Sequence, residues 1–183
     1  MVKEPRPGRV KTRLGADIGL VQSAWWFRHQ SQRLIRKLSN DPRWQTVLAV
    51  SPDAEGLASR SWPSNVARVP QGQGNLGDRM ARVFRNTLPG PVAIIGADIP
   101  DISPKHVARA FRALGNHDAV FGPAFDGGYW LVGLKCNARV PPGIFKGVRW
   151  SSEFALADSE ASLKGRQIAR IETLQDIDTA KDL

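Results

Sequence analysis

Two cations, a hydroxyl and a glycine crowd one stretch of the chain, Lys3-x-Pro5-x-Pro7-Gly8-x-x-Lys11-Thr12-Arg13-Leu14, just ahead of a predicted helix. Glycine lets backbone amides approach a phosphate, a helix N-terminus adds positive potential, and Lys11 and Arg13 supply charge. The spacing is not that of a P-loop, which needs Gly-x4-Gly-Lys-Ser/Thr. Further on, Gly96-Ala97-Asp98-Ile99-Pro100 puts a carboxylate at the end of an apolar run, where open α/β sheets place their ligands. Asp98 there either holds a hard divalent cation together with substrate phosphates, or caps and orders the following turn. Asp126-Gly127-Gly128-Tyr129-Trp130 reads as a hairpin turn backed by an aromatic pair. Asp178, in Asp176-Ile177-Asp178-Thr179-x-x-Asp182-Leu183, offers a further carboxylate or a helix cap.

The elements that must position these groups alternate between helix and strand. From Ala16 to Leu38, Leu20, Ala24, Phe27, Leu34, Ile35 and Leu38 follow the three-and-four spacing of one helical face. Thr46 to Val50 and Val66 to Val69 read as short strands, and a helix from Leu76 to Asn86 carries Met80, Val83 and Phe84 inward. Val92-Ala93-Ile94-Ile95 has the continuous apolar character of a strand buried on both faces and is the expected central strand. Ser103-Pro104 opens a helix through Val107, Phe111 and Leu114. Asp118 to Gly122 and Tyr129 to Leu134 are predicted strands, Ser152 to Leu163 a helix, Gln167 to Ile171 a strand, and Asp176 onward a last helical turn. This alternation predicts an α/β fold, one domain over residues 1–183, with a mostly parallel central sheet covered by helices on both faces. Only Met1 and Val2 precede the basic loop, so the first strand is expected to be truncated.

The net charge of +9 asks for an anionic partner. Lys3, Arg6, Arg9, Lys11 and Arg13 gather at the start, and the remaining positive charge is scattered along the sequence. The single cysteine, Cys136, excludes an intramolecular disulfide, and no run of apolar residues approaches membrane-spanning length, so the expected setting is the cytoplasm. His29, His106 and His117 lack metal-ligand spacing, and Trp25-Trp26 on the first long helix reads as one core and one surface residue.

Taken in order, Lys3-x-Pro5-x-Pro7-Gly8-x-Val10-Lys11-Thr12-Arg13-Leu14, Gln71-x-x-Gly74-x-Leu76-Gly77-x-Arg79-Met80, Gly96-x-Asp98-x-Pro100, Gly122-Pro123-x-x-Asp126-Gly127-Gly128-Tyr129 and the Asp176 to Leu183 segment resemble the DUF2064 family of GT-A-like transferases across nearly the whole chain. The resemblance implies the GT-A, or nucleotide-diphospho-sugar transferase, fold. It implies a nucleotide and phosphate site at Lys3, Gly8, Lys11, Thr12 and Arg13, with Gln71, Gly74, Gly77 and Arg79 beside the nucleotide. It implies a divalent cation, Mg²⁺ or Mn²⁺, on Asp98 and Asp178, and an acceptor side at Asp126, Gly127, Gly128, Tyr129 and Trp150. Trp150-Ser151-Ser152 stands where the family has Trp-Ser-Thr, which keeps a hydroxyl.

The expected activity is metal-dependent transfer from a nucleotide-activated donor, chiefly glycosyl transfer from a nucleotide sugar to a small-molecule acceptor, with Lys11, Arg13 and Asp126 as catalytic groups. The alternative on the same fold is a nucleotidyltransferase that passes a nucleoside monophosphate from an NTP to a phosphorylated acceptor. Two other readings are weaker. Gly72-x-Gly74-x-x-Gly77 with Asp98 about twenty residues on imitates a dinucleotide fingerprint, but Pro70 ends its strand and the basic loop would be left over. A basic nucleic-acid module lacks the interleaved aromatics of a single-strand binder. No nucleic acid and no membrane span are expected, and monomer and homodimer both stay open.

Overall fold

The computed structural model describes residues 1–137 and 139–183. The chain forms two compact units. The first comprises Met1–Gln71, Gly96–Pro104 and Gln175–Leu183. Its sheet is parallel, in the order β1-β2-β3, with β1 Val2–Lys3, β2 Val47–Ser51 and β3 Ala67–Pro70. Helix α1, Thr12–Ile18, and helix α2, Leu20–Ser39, occupy the stretch where one helix was predicted. Gly19 separates them at φ 98°, a left-handed backbone that suits glycine and ends α1. The expected apolar face of α2 is buried except for Leu20, with Ala24, Phe27 and Ile35 packed among Val2, Val10, Leu48, Val50, Trp62, Val66 and Ala97. Ser31 donates to the Ala97 carbonyl at 3.3 Å and Lys37 to that of Ile102 at 3.0 Å, which ties the segment bearing Asp98 onto α2. A short helix α3, Asp53–Ala58, which the sequence reading does not include, follows β2. A 3₁₀ turn at Ala180–Asp182 is the predicted last helical turn.

The second unit, Gly72–Ile95 and Lys105–Leu174, holds a mixed sheet in the order β4-β6-β5-β7. Its strands are β4 Val92–Ile95, β5 Ala119–Pro123, β6 Tyr129–Leu134 and β7 Ile168–Arg170. β6 runs antiparallel to both β4 and β5, while β5 and β7 are parallel. β4 therefore stands at the end of this order, and β6 and β5 take the central places expected for it. The apolar run of β4 reports burial, which many strand positions satisfy; β6 is equally apolar and more fully buried. Helices α4 Leu76–Asn86, α5 Pro104–Asn116 and α6 Ala155–Ala161 complete the unit, apart from the first residue of α5. Asn75 caps α4 in a reciprocal box with Asp78, each backbone N–H donating to the other's side chain at 3.0 Å. Among the described residues no helix is long and apolar enough to cross a membrane.

Candidate active site

The basic loop leaves β1 and ends at Lys11, whose backbone adopts φ 45° and ψ 50° immediately before α1. That left-handed conformation is uncommon for a lysine. The side chain is only 8% exposed, and its ammonium lies 2.6 Å from Asp98 Oδ2 and 2.8 Å from Asp178 Oδ1. Burial works against the charge on Lys11, but the two carboxylates more than offset it and hold its pKa above the ordinary lysine value. Arg13, mostly exposed, reaches the second oxygen of Asp178 at 3.1 Å. Three separate segments of the first unit thus deliver two cations and two carboxylates to one place.

Asp178 is free for this pairing because its neighbours make the cap. Thr179 and Asp182 form the reciprocal box that starts the 3₁₀ turn, and Asp182 Oδ2 accepts from Asp178 N, Thr179 N and Thr179 Oγ1 at 2.8–3.1 Å. Hydrogen bonds from Thr179 lead in holding the Asp182 carboxyl below its usual range. Asp17 on α1 accepts from Ala180 N at 2.9 Å and docks the turn on that helix. Asp98, six residues ahead of α5, spends its carboxylate on Lys11 and not on capping that helix.

The donor set fits a hard divalent cation: two carboxylate oxygens from different segments converge on one point, the point held by the Lys11 ammonium. Among the described residues no three His, Cys, Asp or Glu side chains are gathered as ligands. Phosphate and water oxygens would have to complete such a shell, as is usual for Mg²⁺.

Of the other predicted phosphate residues, Lys3 is exposed on β1, Gly8 lies at φ 74° in the loop, and Thr12 opens α1 in solvent. Gln71 is 5% exposed, and its amide nitrogen donates to the carbonyls of Val2 at 3.1 Å and Ala49 at 2.8 Å, which binds β1 to β2. Gly74, Gly77 and Arg79 belong to the second unit. Gly74 sits at φ 106° and its carbonyl accepts from Arg79 Nε at 3.0 Å. A Cβ on Gly77 would come within 2.8 Å of both Phe145 and Trp150, so close packing alone requires glycine there.

The predicted acceptor side is assembled within the second unit. Asp126 Oδ1 accepts from Gly128 N at 2.8 Å and closes the turn between β5 and β6. Gly127, at φ 83°, lies so near Glu153 that a Cβ would meet its carbonyl oxygen at 2.3 Å. The Tyr129 ring stands edge-on to Phe121 and Trp150, at centroid distances of 5.0 and 6.4 Å. Its hydroxyl accepts from Ser159 at 3.1 Å, and burial pushes its pKa well above the usual tyrosine range, only partly opposed by that bond. Ser159, fully buried on α6, carried no motif that would have singled it out. Arg149 was missed as well; it clasps Asp158 through two side-chain bonds at 2.8 and 2.9 Å.

The family model for DUF2064, described as uncharacterized protein conserved in bacteria, matches residues 34–152. No match was found among the curated proteins. Among solved structures, a protein of Desulfovibrio desulfuricans G20, provisionally assigned as a nucleotide-diphospho-sugar transferase, superposes with a TM-score of 0.81 at 28% identity, covering 97% of this chain and 80% of its own. Rv0371c of Mycobacterium tuberculosis H37Rv aligns at 13% identity and a TM-score of 0.47, over 85% of this chain and 80% of its own, too distant to bear on the site. With its mixed α/β architecture matched over nearly its whole length by that Desulfovibrio protein, the chain belongs to the DUF2064 family and has the nucleotide-diphospho-sugar transferase fold.

Proposed function

We propose that the protein is a metal-dependent transferase that uses a nucleotide-activated donor, and that the donor is a nucleotide sugar. The convergence of Lys11, Asp98, Asp178 and Arg13 is the observation that supports this reading most directly. The name given to the Desulfovibrio relative supports it from outside. Mg²⁺ or Mn²⁺ on Asp98 and Asp178 would neutralise the diphosphate as it leaves. Lys11 and Arg13 supply fixed positive charge for the same group, because both already stand against Asp178 and need only exchange a carboxylate oxygen for a phosphate oxygen. Asp126 is the proposed base that orients or deprotonates an acceptor hydroxyl; one of its oxygens is engaged by Gly128, which fixes the carboxylate.

The test is a melting-temperature panel of UDP-, GDP-, ADP- and CDP-sugars, NTPs and NAD, each with and without Mg²⁺ or Mn²⁺, followed by product analysis with the stabilising donor. Metal-dependent stabilisation by one nucleotide sugar, and release of free nucleoside diphosphate, are expected. Pyrophosphate released from an NTP would establish nucleotidyl transfer instead, and stabilisation by NAD alone would overturn both.

A further inference from the structure

Helix α2 has one largely exposed face. Its twenty residues include no Asp or Glu. Val21, Trp25, Arg28, His29 and Arg36 lie along a single stripe, in which Gln32 alone is tied to the fold, donating to the Ser61 carbonyl at 2.7 Å. Val21 is 65% exposed and Trp25 63%, whereas Trp26 turns into the core. The Trp25 ring lies 4.1 Å from that of His29 and leaves its other surfaces to solvent. Arg28, Arg33 and Arg36 have no ion-pair partner among the described residues, in contrast to Arg6, Arg9, Arg13 and Arg43, which all have one. Positive charge that looks scattered along the sequence is therefore gathered and left unneutralised on one helix face. The bias extends further: residues 1–71 hold twelve Lys and Arg against five Asp and Glu, so seven of the nine net positive charges lie there.

We infer that this face of α2 docks the protein on an anionic lipid bilayer surface, with Val21 and Trp25 entering the headgroup region and Arg28, Arg33 and Arg36 meeting lipid phosphates. Apolar and aromatic side chains beside unpaired arginines are what an interfacial helix presents to such a surface. A nucleic acid would reward the arginines but not an exposed valine. A second copy bound symmetrically through the same face would set these arginines against one another with no acid to meet them. The charge and the apolar patch together favour the bilayer.

Co-sedimentation of the full chain with vesicles, either phosphatidylcholine alone or phosphatidylcholine mixed with phosphatidylglycerol, tests the inference. Binding to the mixed vesicles alone is expected, weakening as salt is raised. Trp25→Ala should lower it about fivefold or more. Replacing Arg28, Arg33 and Arg36 together by Gln should lower it about a hundredfold, at roughly fivefold per arginine. Leu88→Ala, at a site 87% exposed in the other unit, should bind like the wild type. All of these side chains are exposed, so unchanged melting temperatures confirm that the variants fold. Failure to sediment with the mixed vesicles, equal binding by Trp25→Ala, or an equal loss with Leu88→Ala would overturn the inference. So would a homodimer that Trp25→Ala dissociates, or RNA binding in place of vesicle binding. Because the readout is sedimentation, its outcome stands apart from whether the chain transfers a sugar.

Discussion

Lys11 and Asp126 are both charged residues in glycine-containing loops, and they are held in opposite ways. Lys11 draws its partners from distant sequence, with Asp178 lying 167 residues away, and its ammonium is buried between two carboxylates. Asp126 is exposed and bonds the backbone only two residues on. The first arrangement exists only when the first unit is folded. The second is an Asx-type turn that the local chain can make for itself. Charge placed by long-range pairing depends on the fold of a whole unit, while charge placed by its own turn needs nothing beyond that turn.

Substitutions can break or sharpen this contrast. Asp98→Ala should reduce turnover about a thousandfold or more with little change in melting temperature, since the carboxylate is exposed enough to be lost without leaving a cavity; product formation from the donor found in the panel measures it. Asp126→Asn keeps an oxygen for the Gly128 bond and should change stability by less than about 0.5 kcal/mol. As the proposed base, Asp126 should nonetheless cost about a hundredfold in turnover when so replaced. If activity survives, the turn is its whole purpose. Gly127→Ala forces a Cβ into the Glu153 carbonyl at a positive φ and should cost about 2–3 kcal/mol in urea unfolding.

Lys11→Met frees the point on which Asp98 and Asp178 converge. Titration calorimetry of the nucleotide-free variant should find Mn²⁺ bound about tenfold more tightly than by the wild type, because a like charge no longer occupies that point. The smallest expected effect belongs to the exposed Arg149–Asp158 pair. Side-chain and then backbone bonds from Arg149 hold the Asp158 carboxyl at about 2, below its ordinary 3.8. A depressed carboxylate pKa stabilises the fold above the ordinary value, and the contribution is lost as pH falls toward 2. Asp158→Asn should therefore show a slightly flatter fall of melting temperature across that acid range than the wild type.

The local elements were legible because their signals are local. Leu76–Asn86, Val92–Ile95 and Tyr129–Leu134 fall where apolar spacing places them. The break at Gly19 was not, because a glycine inside an apolar period is tolerated in many helices, and only its φ shows that this one divides α1 from α2. Strand order was also beyond reach: nothing in Val92–Ile95 says that its hydrogen-bonded partner is Tyr129–Leu134. At the site, Asp98 and Asp178 were picked out as a pair, but the sequence could not tell that Lys11 stands between them, because the contact joins segments far apart in the chain. Ser159 and Arg149 stayed hidden for the converse reason, being ordinary residues whose partners are set by packing.

Gly77 bears on how kinship and activity can part company. Its missing Cβ is demanded by Phe145 and Trp150, so a chain that had lost its substrate would still be bound to keep it. Searches keyed on such glycines would gather silent members with working ones, and under the proposed function the joint presence of Lys11, Asp98 and Asp178 would be the sharper means of sorting them.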